Sequence, residues 1–328
     1  MNFRTTITTG PPRNVISYSD QIMLIGSCFA AYMGEHIRMC KMPVMINPSG
    51  TVYNPVSVFN TIDSVISAKV TSVNDLYCHN NTWLSFFHYT DFTSDDPELL
   101  VRKINDINQR AGAFLKKAGF LFITFGTSRV YRHKESGLIV SNCHKVSNSE
   151  FDTELLTVGE IADQWISLLD RLSSFNPGLR IVFTVSPVRH WKDGAHGNQV
   201  SKSVLFLAIE ELLKHQSKPD YFPAYELQMD DLRDYRFYAD DMLHPSQSAI
   251  EYIWGKFSDA YFDKSTRELQ SHILKIIKAM HHRISTESAS AKNAFAESML
   301  NHISDIEKRN AEIDFYQEKE YFRNLIVR

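Results

Sequence analysis

Four nearly continuous apolar runs, alternating with stretches of helical pattern, constrain the fold of this chain more than any other feature. Strands that are apolar along their whole length are typical of a parallel sheet covered on both faces. The alternation of strand and helix then predicts right-handed crossovers and a doubly wound α/β fold. The predicted strands are residues 22–27, 42–47, 119–128 and 179–188, and the predicted helices are residues 29–39, 56–65, 97–118, 158–173 and 199–215.

The chain is long enough for one large domain with an appendage. It has 328 residues, of which 43% are hydrophobic, so it can bury a sizeable core. After about residue 263 the sequence becomes polar, helical in pattern and nearly free of glycine and proline. We therefore predict an α/β domain over residues 1–262 and a helical extension over residues 263–328.

Two apolar stripes run along this extension at three- and four-residue spacing. Such spacing places each stripe on one side of a helix, and that side must be buried against another element. Two partners are open: the chain's own α/β domain, or a second subunit in a homodimer formed through the C-terminal helices. The stripes are Ile273/Ile276/Ile277/Met280 and Phe295/Met299/Ile303/Ile306.

Composition excludes several classes of protein. The formal net charge is −3, with 35 basic and 38 acidic residues, so nothing indicates a nucleic-acid partner. No stretch approaches the roughly 20 apolar residues of a membrane helix, and the first 20 residues hold no apolar core typical of a signal peptide. The four cysteines have no CxxC spacing. We expect a cytoplasmic protein without a membrane partner.

A serine lies where the first predicted strand meets the first predicted helix. Ser27 at this junction is either an N-cap or a nucleophile whose developing oxyanion would face helix N-terminal amides. A general base for it lies far downstream, where Asp241 and His244 are three residues apart. At that spacing the carboxylate can orient the imidazole, which can then accept the serine proton.

These segments resemble a known family. "GSCFA" at residues 26–30 is the string that names the GSCFA family, which is similar to the SGNH (GDSL-like) hydrolases. The segments "NPSGTVYNP", "GTSRVY", "NCHK", "SPVRH" and "YADDMLHPS" match as well. The resemblance implies an SGNH-hydrolase-like, three-layer α/β/α fold with a Ser–Asp–His site, to which Ser27, Asp241 and His244 correspond. It also implies activity on acyl esters, including those of carbohydrates or glycoconjugates, without a cofactor or a catalytic metal.

The resemblance also implies an oxyanion hole, with one departure. The backbone amides of Ser27 and Gly50 correspond to two of its donors. The related enzymes carry an asparagine in the third sequence block, where this chain has Ser128. Thr127, Ser128 or Asn142 could supply the missing donor. Loss of one such donor typically costs about 10²–10³ in rate, so slow hydrolysis or transfer to another acceptor is expected.

Six further residues are candidates for substrate binding. Arg189 can hold a carboxylate or phosphate through two parallel hydrogen bonds, or form a structural salt bridge. The aromatic segment at residues 82–92 can line a carbohydrate site or pack beneath a loop. The candidates are Trp83, His88, Asn142, His144, Arg189 and His190.

Two other kinds of protein remain open. A noncatalytic protein that binds a glycan or metabolite could retain the same fold. A thiol- or metal-dependent enzyme could use Cys143, His144 and His190, although their spacing fits no standard zinc pattern. Cys28, next to the serine, could also be a nucleophile or a small buried residue. We expect a serine-dependent acyl-ester hydrolase or acyltransferase acting on a small-molecule or glycan ester.

Overall fold

The computed structural model describes residues 5–9, 15–281 and 288–326. Its centre is a five-stranded parallel sheet in the order β11–β10–β6–β1–β2. From β1 the chain runs first to the edge strand β2 and then back through β6 and β10 to the other edge at β11, which confirms the doubly wound prediction. These strands are β1 (Ile22–Gly26), β2 (Val44–Ile46), β6 (Phe120–Phe125), β10 (Arg180–Val185) and β11 (Asp220–Tyr221).

Successive residues of the central strands point to opposite faces of the sheet, and each face has its own core. Leu24 and Phe122 lie in one hydrophobic cluster, while Ile25 and Ile123 lie in the other. Both clusters also contain helical residues, so helices cover both faces and the three-layer α/β/α prediction is confirmed. The helices are α1 (Cys28–Met39), α2 (Pro55–Ile66), α3 (Pro97–Leu115), α4 (Val158–Phe175), α5 (Gly194–Leu212), α6 (Ala224–Glu226), α7 (Gln247–Tyr261), α8 (Lys264–His281), α9 (Ala289–Glu307) and α10 (Tyr316–Leu325).

Local sequence accounts for several of these boundaries. Helix α4 begins at a capping box, in which Thr157 Oγ1 accepts from the Glu160 amide at 3.2 Å and Glu160 accepts from the Thr157 amide at 2.7 Å. Helix α3 begins after Asp96, which accepts from the Glu98 amide at 2.8 Å. Within the described ranges, no helix has the length and apolarity needed to cross a membrane.

Two small antiparallel sheets, which the sequence patterns did not predict, accompany the central sheet. Leu84, Val140 and Phe151 of these sheets lie in a hydrophobic cluster separate from the two main cores, whereas Val130 belongs to one of the main cores. The first contains β3 (Tyr77–His79), β4 (Thr82–Leu84) and β5 (Thr93–Ser94), and the second contains β7 (Arg129–His133), β8 (Ile139–Val140) and β9 (Phe151–Leu155).

The C-terminal helices pack on the α/β unit of their own chain. Ile273, Ile276 and Ile303 are fully buried, in the same cluster as Ile22 and Leu24 of β1. The apolar stripes are therefore buried mainly by packing within the chain, and little of their surface is left for the homodimer considered from the sequence. The predicted boundary at residues 262–263 falls in the connection between α7 and α8.

Candidate active site

The junction between β1 and α1 is a tight turn that admits glycine alone. Gly26 has φ +145°, and a Cβ there would lie 2.2 Å from the backbone oxygen of Thr124 on β6. The Gly26 N–H donates to Asn47 Oδ1 at 2.8 Å, which fixes the turn from the side of β2. The close approach of β1 to β6 and this hydrogen bond together hold the next residue, Ser27, at the carboxyl end of the sheet.

Ser27 is the N-cap of α1. Its Oγ accepts from the Phe29 N–H at 3.3 Å, and the residue is buried, with 1% of its surface exposed. The capping interpretation is therefore correct, but it does not exclude reactivity. A hydroxyl in this place lies at the positive end of the helix dipole, where negative charge on oxygen is favoured.

Asp241 and His244 form a close pair on the loop before α7. Asp241 Oδ2 lies 2.6 Å from His244 Nδ1, while Oδ1 accepts from the amides of Leu243 and His244, both at 2.9 Å. These backbone hydrogen bonds, followed by the bond to the imidazole, lower the pKa of Asp241 to about 2. The ionised carboxylate therefore accepts a hydrogen bond from Nδ1–H and leaves Nε2 as the ring nitrogen available to act as a base.

Two observations place this loop beside the start of α1. The Arg189 N–H, in the connection after β10, donates to Leu243 O at 3.3 Å. The pKa values of Cys28 and Tyr32, on the first turns of α1, are raised mainly by burial and further by the charge of Asp241. The pair thus approaches the serine turn, although no hydrogen bond joins Ser27 to His244 in the part of the chain that the structure describes.

The predicted oxyanion donors are largely engaged elsewhere. The Gly50 N–H donates to Asn47 O at 2.8 Å, so this glycine closes a turn at φ +76°. Thr127 Oγ1 and Ser128 Oγ lie 2.9 and 3.1 Å from Ser201 Oγ of α5. These hydroxyls fasten the end of β6 to a helix, and this engagement does not favour either of them as the replacement for the missing asparagine.

Other donors remain near Ser27. Its own N–H makes only a long bond of 3.3 Å to Thr124 O. The Cys28 N–H occupies the first helical position, where an amide has no acceptor within the helix. The side-chain nitrogen of Asn47 is buried without a partner among the described residues, and its oxygen is held by Gly26. Sequence reasoning missed Asn47, which "NPSG" presents only as a turn residue.

A buried lysine under the strand ends was also missed. Lys202 on α5 is 1% exposed, and its Nζ donates to Gly126 O and Ser186 O, each at 2.7 Å. Burial lowers its pKa to about 7, nearby Cys28 acts to raise it, and Arg189 lowers it further. Nothing in the sequence separates this lysine from surface lysines, since residues 199–215 were predicted only as a helix.

Arg189 and His190 lie near the proposed reacting groups, in the connection between β10 and α5. The guanidinium of Arg189 stacks on Trp191 with 4.8 Å to the ring centroid, and Trp191 is 47% exposed. Arg189 Nε is buried without a hydrogen-bond partner within the described ranges. His190 Nδ1 lies 3.2 Å from Asp193 Oδ2, which also pairs with an arginine of β7, so the imidazole is tied to the loop.

Four of the predicted binding residues have structural roles. His88 is 6% exposed, and burial lowers its pKa to about 3. His144 Nε2 lies 2.9 Å from Ser85 O and 3.1 Å from His88 O, and the His144 N–H donates to Asn142 Oδ1 at 2.8 Å. Trp83 packs against the small core between α3 and the first antiparallel sheet. These four residues hold the loops of the accessory sheets together, so their assignment to substrate binding is not supported.

The structure gives no support to a thiol-dependent or metal-dependent enzyme. Within the described ranges, no three histidine, cysteine or acidic side chains are close enough to hold a metal ion. His144 is committed to backbone carbonyls, and His190 is tied to Asp193. Burial raises the pKa of Cys28 and Cys143, which disfavours the reactive thiolate at both positions.

The structure therefore defines a three-layer α/β/α protein that carries a serine at the end of its first strand, β1, and an Asp–His pair on a loop near the same sheet edge. The chain belongs to the GSCFA family, whose model matches residues 21–257. A carbohydrate esterase family 3 structure from Talaromyces cellulolyticus is similar at 8% identity, with a TM-score of 0.35, over 77% of this chain and 99% of that chain.

A second similar structure is the acetyl xylan esterase Est2A from Butyrivibrio proteoclasticus. It shares 12% identity, with a TM-score of 0.36, over 75% of this chain and 64% of that chain. The comparison with curated proteins gave no match. The family assignment rests on the family model, and the fold assignment rests on the sheet order and the two cores described above.

Proposed function

We propose that the protein is a serine-dependent acyl-ester hydrolase in which Ser27 is the nucleophile, His244 the general base and Asp241 the residue that orients His244. The observation that carries the proposal is the 2.6 Å contact between Asp241 Oδ2 and His244 Nδ1, on a loop whose carboxylate influences the first turns of α1. An imidazole held in one tautomer beside a serine is the arrangement that activates a hydroxyl.

The reaction proceeds in two halves. Ser27 Oγ attacks the acyl carbon while His244 Nε2 accepts the hydroxyl proton, and the carbonyl oxygen becomes an oxyanion. The bond to the alcohol then breaks, His244 returns the proton to the departing oxygen, and an acyl-serine remains. Water, or a second hydroxyl compound in acyl transfer, loses a proton to His244 and attacks the acyl-serine. The bond between the acyl carbon and Ser27 Oγ then breaks, His244 returns the proton to Oγ, and the carboxylic acid or the new ester departs.

Donors at the start of α1 support the oxyanion. The N–H groups of Ser27 and Cys28 flank the nucleophile, and the helix dipole adds positive potential at this point. The buried side-chain nitrogen of Asn47, attached to the group that fixes Gly26, is a third candidate. In this proposal, these three donors replace the Gly50 amide and the Thr127 and Ser128 hydroxyls that were expected from the sequence.

We further propose an acylated carbohydrate or glycoconjugate as the substrate. The support is the pairing of the exposed indole of Trp191 with Arg189, because an aromatic face and a cationic donor together suit an oxygen-rich ring. Kinetics on a panel of acetylated monosaccharides and disaccharides, measured with wild-type protein and Arg189→Met, test this. We expect a higher KM for Arg189→Met, whereas equal KM values would remove Arg189 from the site.

Labelling with a fluorophosphonate, read by intact mass and peptide mapping, tests the nucleophile. We expect one adduct on Ser27 in the wild-type protein, none in Ser27→Ala, and strongly reduced labelling in His244→Ala. Cys28→Ala is the matched control, because it changes the neighbouring residue of the same turn and should be labelled normally. Labelling that persists in Ser27→Ala, or is lost in Cys28→Ala, contradicts the assignment.

The noncatalytic alternative gives a different result. Its specific support is that the hydroxyls of Thr127 and Ser128 are committed to α5, which leaves the third donor position without the expected group. A binding protein would show no adduct on Ser27 and no turnover of p-nitrophenyl acetate. It would still bind acetylated sugars, which isothermal titration calorimetry would detect.

A further inference from the structure

Lys202 occupies a place where an unneutralised charge is costly. It is a buried cation under the carboxyl ends of two neighbouring strands, and it makes no ion pair with a carboxylate in the part of the chain that the structure describes. An ammonium removed from water without a counter-ion destabilises a fold unless other groups compensate. Lysine is thus a poor choice for packing alone, since methionine fills a similar volume without charge.

The hydrogen bonds of Lys202 connect it to the site. Its Nζ donates at 2.7 Å to Gly126 O after β6 and at 2.7 Å to Ser186 O after β10. The Gly126 N–H in turn donates to Tyr53 O at 2.7 Å, and the Ser186 N–H donates to Phe125 O at 2.8 Å. One ammonium therefore fixes the end of β6, whose Thr124 O accepts from the Ser27 N–H, together with the end of the neighbouring strand β10.

The charge also faces the nucleophile's helix. Cys28 of α1 interacts electrostatically with Lys202, Arg189 does so from the connection after β10, and the Tyr225 ring of α6 lies 5.4 Å from Nζ. Among the described residues, the groups found around Lys202 are thus a thiol, a guanidinium and a phenol, and none of these is a carboxylate. Positive charge at this depth acts on an oxyanion at Ser27 with little screening by water.

We propose that Lys202 is a positioning residue for ester cleavage: its buried ammonium fixes the Gly126 and Ser186 carbonyls beside the Ser27 turn and supplies positive charge behind the oxyanion. The proposal rests on the function proposed above and extends it to a residue that does not touch the substrate. Activity then requires the protonated form of Lys202. As the pH rises past the lowered pKa of Lys202, the charge is lost and the rate falls on the alkaline side.

The test measures the rate of fluorophosphonate labelling of Ser27 from pH 5.5 to 9.5 in the full chain. We expect Lys202→Met to react at least about tenfold more slowly at pH 6.5, a smaller loss than the 10²–10³ typical of a directly contacting donor. The alkaline decline of the wild-type protein should be absent from Lys202→Met. Lys214→Met, just after α5 and paired with Glu211 on the surface, is the control and should match the wild type.

Lys202→Arg keeps the test informative if Lys202→Met does not fold. An arginine stays charged throughout this pH range, so its profile should lack the alkaline decline whatever its maximal rate. Cys28→Ala should retain the decline, which excludes the thiol as its source. A Lys202→Met or Lys202→Arg protein with the wild-type rate and profile overturns this inference alone. Absence of any adduct on wild-type Ser27 overturns the proposed function, and this inference with it.

Discussion

The depressed pKa of Lys202 makes the stability of the protein depend on pH in a way that can be calculated. Burial lowers that pKa from 10.5 to about 7 in the folded chain, while the unfolded chain keeps the ordinary value. Between these two pH values the unfolded state binds one more proton than the folded state. The free energy of unfolding therefore rises with pH across this window, and below pH 7 the full cost of burying the charge is present.

The magnitude follows from the size of this difference. Each pKa unit corresponds to about 1.4 kcal/mol, so the fall from 10.5 to about 7 corresponds to at most about 5 kcal/mol. The range from pH 6 to pH 10 spans most of this window. Across it, we expect the free energy of unfolding of the wild-type protein to increase by about 4 kcal/mol relative to that of Lys202→Met. The comparison with Lys202→Met removes the contributions of all groups that titrate identically in both proteins.

Urea unfolding followed by circular dichroism at five pH values measures this difference. Both proteins should carry Cys28→Ala, because the charge of this thiol interacts with Lys202. We expect the free energy of unfolding of the protein with Lys202, minus that of the protein with Lys202→Met, to increase steadily from pH 7 to pH 10. A difference that stays constant within about 1 kcal/mol would show that Lys202 keeps its ordinary pKa, and a difference that shrinks would show that its folded pKa is raised.

Three further predictions concern the site and its support. Asp241→Asn should lower kcat on p-nitrophenyl acetate by up to about 10⁴-fold, because an amide favours the wrong tautomer of His244. Since the pKa of Asp241 is lowered to about 2, protonation of this carboxylate should not reduce the activity of the wild-type protein at pH 4. Gly26→Ala should fail to fold, because its Cβ would overlap a backbone oxygen of β6, whereas Gly159→Ala, a helical position with open space, should raise the melting temperature. Ile276→Ala should lower the free energy of unfolding by about 2–5 kcal/mol without slowing the labelling of the serine, because this side chain lies in the core and outside the site.

The sequence determined four of the five strands of the central sheet because strand and helix patterns are local, whereas the two-residue strand β11 is too short to give such a pattern. Each apolar run that predicted a strand forms one, and each predicted helix is present within a few residues of its expected ends. The three groups proposed for chemistry could also be named from sequence. Ser27 follows a buried strand directly, and Asp241 and His244 are only three residues apart, so neither feature depends on long-range contacts.

Tertiary structure decided which polar groups are free. The hydroxyls of Thr127 and Ser128 are occupied by Ser201, which is more than 70 residues away in the chain, so no local pattern could show that they are unavailable. The same holds for His144, whose ring is engaged by carbonyls of a distant loop. A polar side chain near a strand end has the same sequence signature whether its hydrogen bonds are satisfied or open.

Lys202 shows the reverse case, in which a residue with no distinguishing sequence signal acquires a special environment. On its helix it is one polar residue among several, and its burial depends on β6 and β10 ending where they do. The C-terminal stripes are similar, since their periodicity predicts a buried face but not the surface that covers it. Periodicity reports what a segment must bury, whereas the partner is set by the packing of the whole chain.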